Sequence, residues 1–285
     1  MSKSLEESSL ILSARTRFYQ RLLSGPLVTT HGVPSIADTS NQKSVRISAS
    51  MLAQMGTCRG TKSKQAGQTS GGEFEAIVSQ FIEETFLQLG HIRPGHWRVI
   101  NNPGRIGQFE QYQHLEALLE LVKQHPETRA SLGGDYLIRP DLVIVREPED
   151  DAALNSANQQ VVAGVFPAHS PLRKANNQLP ILHASISCKW TIRSDRSQNT
   201  RTEALNLMRN RKGLVPRAVA VTAEPLPSRI GSIAYGTGDL DCIYHIALPE
   251  LLVACKAEGD DEELRVLVEG RRLRDISDLP LDLAS

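Results

Sequence analysis

The chain has 285 residues, 40% of them apolar and 5% aromatic, with 32 Lys and Arg balancing 32 Asp and Glu. That length supports one large domain or two small ones around a sizeable core, and no apolar stretch approaches the length of a membrane span. No basic N-terminal region leads into an apolar run and cleavage site, so the expected compartment is the cytoplasm. Cys58, Cys188, Cys242 and Cys255 are scattered without metal-type pairing and are expected as free thiols rather than disulfides or zinc ligands.

Residues 4–23 have the pattern of an amphipathic helix ending near Gly25 and Pro26. Residues 29–44 are polar, include Asp38 and Ser40, and read as a surface loop. A short helix is expected over 47–55. Residues 56–72 form a Gly/Ser/Thr/Lys-rich loop holding Gln68, and it opens a strong helix with Phe74, Ile77, Val78, Phe81, Phe86 and Leu89 on its apolar face. Glu75 then falls in the first turn beside the core face. It is either an acid favoured by the helix dipole or a carboxylate aimed into a site.

Residues 97–101 read as a strand and 109–124 as a helix closed by Pro126. A buried strand is expected over 135–145, with Pro140 at an edge, bulge or starting point. Asp141 follows Pro140 and precedes four apolar residues, which puts an acid at the brink of a sheet, where it needs a partner. Residues 147–180 are polar without a period and read as an inserted loop or arm. Residues 181–192 are β-branched and apolar, hence a buried strand. Side chains two apart on a strand share a face, so Ser187 and Lys189 point one way and Cys188 the other. Lys189 either snorkels to solvent from the strand end or has a task.

A helix is expected after the potential N-caps Asp195 and Ser197, with Ala204, Leu205 and Met208 at helical spacing until Gly213. Strands at 217–223 and 242–248, helices near 249–256 and 261–269, and an acidic tail complete the chain. Strands separated by helices make this an α/β fold with a mixed central sheet, taken as a single domain over 1–285. From 171 to 217 there are ten Lys or Arg (173, 174, 189, 193, 196, 201, 209, 211, 212, 217) against Asp195 and Glu203. In a chain with no net charge, this local excess points to a polyanion met at one face.

Asp141, Glu203 and Glu75 are the acids placed near these strands and helices. Two or three carboxylates suit Mg²⁺, which keeps waters and accepts phosphate oxygens, and a lysine beside them can hold a water or a phosphate oxygen. An acid on one strand and Lys on the next follow the logic of a metal-dependent nuclease.

The order Pro140, Asp141, then Ser187, Cys188, Lys189, then Glu203 resembles the variant motif of the CCGG-cutting type II restriction endonucleases. In that variant of the PD-(D/E)xK pattern, Ser stands two residues before the lysine and a helix carboxylate replaces the missing acid. Residues 189–196 are similar to the family's recognition signature. Likeness to a family member that cuts GCCGGC extends over Ala37, Asp38, Ser40, Asn41, 67–71, 91–95, 182–196, 221–225 and 275–283.

The resemblance implies a restriction-endonuclease-like fold, with Asp141, Lys189 and Glu203 catalytic and Ser187 and Glu75 supporting. It implies Mg²⁺ held by Asp141, Glu203 and Glu75. It further implies that Arg193, Asp195 and Arg196 read CCGG in the major groove, that Asp38 and Arg229 contact the outer G·C pair, and that Gln68 and Ser40 touch the minor groove. Two arginines and an aspartate independently match guanine O6 and N7 and cytosine N4. The implied activity is Mg²⁺-dependent hydrolysis of double-stranded DNA at GCCGGC after the first G, by a homodimer or homotetramer paired with a methyltransferase. The rival readings are an endonuclease with other flanking bases, a structure-selective repair nuclease, and a catalytically silent DNA-binding protein.

Overall fold

The computed structural model describes residues 9–56, 67–124, 127, 138–236 and 239–285, with backbone alone at 67–69 and 194–198. In chain order, α1 (Leu10–Ser24) leads to a hairpin, β1 (Thr29–Thr30) with β2 (Val33–Pro34), then α2 (Gln42–Met55) and α3 (Gly67–Thr85). Next come β3 (Trp97–Asn101), α4 (Gln113–Gln124), β4 (Leu142–Arg146), the single turn α5 (Asp151–Leu154) and β5 (Ile181–Lys189). The last third is α6 (Ser194–Arg209), β6 (Arg217–Thr222), α7 (Pro227–Ala234), β7 (Cys242–His245), α8 (Leu248–Ala257), α9 (Glu262–Glu269), β8 (Leu273–Asp275) and α10 (Leu279–Ala284).

The six strands β3 to β8 lie side by side in sequence order. β3, β4 and β5 pair antiparallel, whereas β5, β6, β7 and β8 run parallel, so the sheet is mixed. Residues with β propensity fill the centre: Leu142, Val143, Ile144 and Val145 of β4 are all fully buried, each stabilising the fold by about 1.5–3 kcal/mol. In β5 burial alternates from Leu182 onward, with Ala184, Ile186 and Cys188 inside and Ser185, Ser187 and Lys189 half-buried, as the two-residue period requires. Helices flank the sheet. α3 packs on β3 and β5, seating Phe74 edge-on against Trp190 at 5.1 Å and Phe81 against Phe18 of α1 at 5.2 Å. No described helix is long and apolar enough to cross a membrane. Cys188, Cys242 and Cys255 are free and buried, and Cys58 lies outside the described residues.

Several expectations change. Residues 29–34 form a hairpin rather than loop, because His31 (φ 51°) and Gly32 (φ 78°) supply the two left-handed residues that a tight two-residue turn demands. α2 starts at Gln42, since the Asn41 side chain accepts from the N–H groups of Lys43 and Ser44. Gly67 to Gly72 are helical despite glycine's low propensity, so α3 is longer than its apolar pattern implies and Glu75 stands in its third turn, beyond the helix-end field.

Two short 3-10 turns precede α4, which starts at Gln113 rather than at residue 109. Of the expected strand at 135–145, residues 135–137 lie outside the described chain and 138–141 approach β4 without joining it. α6 begins at Ser194 with Arg193 as its N-cap, so Asp195 and Ser197 are inside the helix. The acidic C-terminal stretch is no tail. It forms β8 and α10 and buries Leu273, Ile276, Leu279 and Leu283. Between β4 and β5, residues 147–180 contain α5 and isolated bridges, and they present Val165 and Phe166 at 71% and 72% exposure.

Candidate active site

The sheet itself brings the first cluster together. Antiparallel pairing of Leu142 with Ile186 sets Asp141 beside Ser187, and one residue further the β5 backbone turns an N–H toward it. Asp141 Oδ2 accepts from the Cys188 backbone N–H at 2.9 Å, from Lys189 Nζ at 3.2 Å and from Ser187 Oγ at 3.4 Å. Register therefore positions this carboxylate, and the lysine is its counter-ion. Lys189 does not snorkel free: its side chain is only 19% exposed. Asp141 is further anchored by its carbonyl, which accepts from the N–H of Asn102 at 2.9 Å just past β3.

Two more carboxylates face the same cleft, whose volume is about 1190 Å³. Glu75 comes from α3 and Glu203 from α6. Burial pushes the Glu75 carboxyl above its usual range, and the charge of Asp141 adds to this against Lys189 and a 3.4 Å hydrogen bond from Asn102 Nδ2. Burial also raises Glu203, with Asp141 again adding and Lys189 opposing. The shared dependence on Asp141 and Lys189 means that all four groups feel one local field. Ser187 sits behind Asp141, lining a small adjoining cavity of about 20 Å³ that Glu203 also borders.

Among the described residues, no three His, Cys, Asp or Glu side chains converge closely enough to hold an ion by themselves. The donor set still suits a hydrated hard cation. It offers carboxylate oxygens, with Glu75 and Glu203 raised by burial and by the charge of Asp141, and such an ion needs only one or two carboxylates and keeps its waters.

The same cleft carries a second constellation. Asp38 and Arg229 form an ion pair, and Asp38 Oδ1 accepts from the Ser40 N–H at 3.0 Å and hydroxyl at 2.6 Å. These Ser40 and Arg229 hydrogen bonds hold the Asp38 carboxyl down at about 2. Arg193, exposed and just before α6, lines the cleft with Asp38 and Arg229. The side chains of Gln68, Asp195 and Arg196 lie outside the described residues. The basic run is not a single face. Arg173 is buried against Asp151, Lys174 pairs with Asp150, and Arg201 pairs with Asp239.

Three features were given no role from the sequence. Asn102, in the left-handed region at φ 49°, touches both Glu75 and the Asp141 backbone, and an Asn at a strand end was its only signal. Gly71 and Gly72 line the cleft from within α3, where a Cβ would meet nothing within 4 Å, so they leave a bare backbone surface. Glu224, named in the sequence only within the 221–225 stretch of family likeness, is fully buried and joins the end of β6 to the backbone at Ile192 and Leu226.

The model of the NgoMIV restriction enzyme family matches residues 18–285. The chain is also 47% identical over 284 residues to the type II restriction enzyme NgoMIV of Neisseria gonorrhoeae, covering 96% of this chain and 99% of that one. The chain belongs to the NgoMIV restriction enzyme family. It is accordingly a type II restriction endonuclease, an enzyme of site-specific DNA cleavage. Among solved structures, it is similar to the type IIF restriction endonuclease Bse634I with cognate DNA, with a TM-score of 0.38, 13% identity, and 88% of this chain and 92% of that one covered. It is also similar to a PspGI–substrate DNA complex, with a TM-score of 0.26, 12% identity and coverage of 96% and 90%. Both likenesses are too distant to carry structural detail into this NgoMIV-family chain.

Proposed function

We propose that this chain hydrolyses both strands of GCCGGC after the first G, in the presence of Mg²⁺, leaving 5′ overhangs. The observation that carries this reading is that Glu75, Asp141, Lys189 and Glu203 line the same cleft as Arg193, Asp38 and Arg229. Asp141, Glu203 and Glu75 would hold the ion, which when bound lowers the pKa of a water and neutralises charge on the phosphodiester.

Lys189, tethered by Asp141, is a compact cation able to orient the attacking water or a phosphate oxygen. Attack at phosphorus breaks the bond to the 3′ oxygen and leaves a 5′ phosphate. Ser187 supports Asp141 from behind, where an acid would add a further charge to a field already raising Glu203.

Arg193, with Asp195 and Arg196 from the first turn of α6, reads the inner CCGG, while Asp38 and Arg229 read the outer pair and Ser40 and Gln68 approach the minor groove. A palindrome calls for a two-fold dimer with each subunit reading one half, and pairing of two such dimers gives a homotetramer. The enzyme would act in the cytoplasm beside a protecting methyltransferase.

The test is to incubate the protein and Mg²⁺ with a two-site GCCGGC plasmid and with plasmids carrying CCGG in other flanks, then map the ends. Cutting confined to GCCGGC is expected. Cutting in all CCGG contexts removes the outer-pair assignment, and no metal-dependent cutting refutes the proposal.

A further inference from the structure

Glu224 follows β6 at the carboxyl end of the parallel strands and is 0% exposed. Both of its oxygens are committed. Oε2 accepts from the Ile192 backbone N–H at 2.8 Å, and Oε1 accepts from the Leu226 N–H at 3.1 Å. Ile192 immediately precedes Arg193, and Leu226 is the N-cap residue of α7, the helix that carries Arg229. Oε1 also lies 3.9 Å from Nη1 of Arg229, whose Nη2 pairs with Asp38. A continuous path thus runs from the backbone before Arg193, through one buried carboxylate, to Arg229, Asp38 and Ser40.

Arg193 and Arg229 lie 36 residues apart in sequence, one as the N-cap of α6 and the other within α7. A buried carboxylate is costly unless each oxygen is used, and here each oxygen is spent on holding one recognition element rather than on the catalytic cluster. We propose that Glu224 is a positioning residue for sequence recognition. It locks the segment bearing Arg193 to the helix bearing Arg229, so that inner and outer base pairs are read as one register. The proposal rests on the reading that Arg193 and the Asp38–Arg229 pair contact bases.

The test uses the full chain as wild type and as Glu224→Gln. Gln keeps the shape but places an NH₂ against one of the two N–H donors. Dissociation constants without divalent ion are measured for duplexes containing GCCGGC and ACCGGT, and single-turnover cutting at saturating GCCGGC is followed with Mg²⁺. The expected result is that preference for GCCGGC falls at least about tenfold, the scale of one lost base contact, while the saturating rate falls by less. Equal weakening on both duplexes marks a merely structural residue and overturns the proposal, as does an unchanged preference.

Should the variant not fold, the wild type serves alone. Preference is measured at pH 8.5 and 6, since protonating Glu224 removes an acceptor from one donor. The groups facing Glu224 are Arg229, Asp38 and His245, and the last, pushed to about 4 by burial, stays neutral across this range. A preference that falls with pH is expected, and a flat one overturns the proposal. A wild type that does not prefer GCCGGC at all instead defeats the outer-pair reading itself.

Discussion

Replacing Glu224 by Gln should change how stability depends on pH, and the size follows from the structure. Burial pushes this carboxyl from the ordinary 4.5 up to about 7, against the N–H groups of Ile192 and Leu226 and the charge of Arg229. The folded state therefore holds the Glu224 proton more tightly than the unfolded chain does. Its contribution is fully present below about pH 4.5 and is lost as pH rises through about 7. At about 1.4 kcal/mol per pH unit, the loss is roughly 3 kcal/mol.

Gln cannot titrate, but it leaves one N–H facing its NH₂, at about 1–3 kcal/mol and at every pH. The diagnostic quantity is thus the stability of the variant minus that of the wild type, taken by urea unfolding at pH 5 and at pH 8.5. That difference should move toward the variant by roughly 2.5 kcal/mol between the two, since part of the loss falls below pH 5. His183 and His245, both lowered to about 4 by burial, titrate on unfolding and stabilise the fold as pH rises, yet they act alike in both proteins and cancel. A difference that is the same at both pH values would refute the argument.

Asp141→Asn or Lys189→Ala should slow cutting by about 10²–10³ or more while specific binding survives, as gel shift and plasmid cleavage would show. Normal cleavage by Lys189→Ala would remove it from the chemistry. Arg229→Ala or Asp38→Ala should cost about 1–3 kcal/mol of discrimination at the outer pair only, read from cleavage of GCCGGC against other flanks. Chelation should stop cutting, with recovery on added Mg²⁺. Because Glu75 and Glu203 are raised, calorimetric ion affinity should weaken as pH falls through the range above the ordinary carboxylate value. Leu273→Ala should destabilise by about 2–5 kcal/mol in thermal unfolding, since its side chain is fully buried in the last strand.

Local pattern carried the strands furthest. The alternation across Ser185, Ile186, Ser187, Cys188 and Lys189 was readable because a half-buried strand has a two-residue period, and it placed Lys189 on the correct face. The partner of Lys189 was readable only as an acid before four apolar residues, since the register that joins β4 to β5 is a long-range fact. The glycines of α3 and the acidic residues near the C-terminus misled for opposite reasons. Propensity argued against a helix at Gly67 to Gly72, which nonetheless form the first turns of α3, and charge hid Leu273, Ile276 and Leu279 at buried spacing. Asn102 had no sequence signal beyond residue type, and Glu224 lay in the 221–225 stretch of likeness without a role, because each matters through backbone groups of distant segments.

The connection between β4 and β5 leaves the sheet at Arg146 and returns at Ile181, which are paired with one another. Asp141 and Lys189 lie at the far ends of the same two strands, across the length of the sheet. An antiparallel pair can be closed by as few as two residues, so the thirty-odd residues there are topologically free, and each doubling of such a loop costs only about 0.6 kcal/mol. The fold therefore separates a part that must be exact from a part that can be rewritten. The length of the connection at 147–180 can vary at one end of these strands, while register holds Asp141 and Lys189 together at the other.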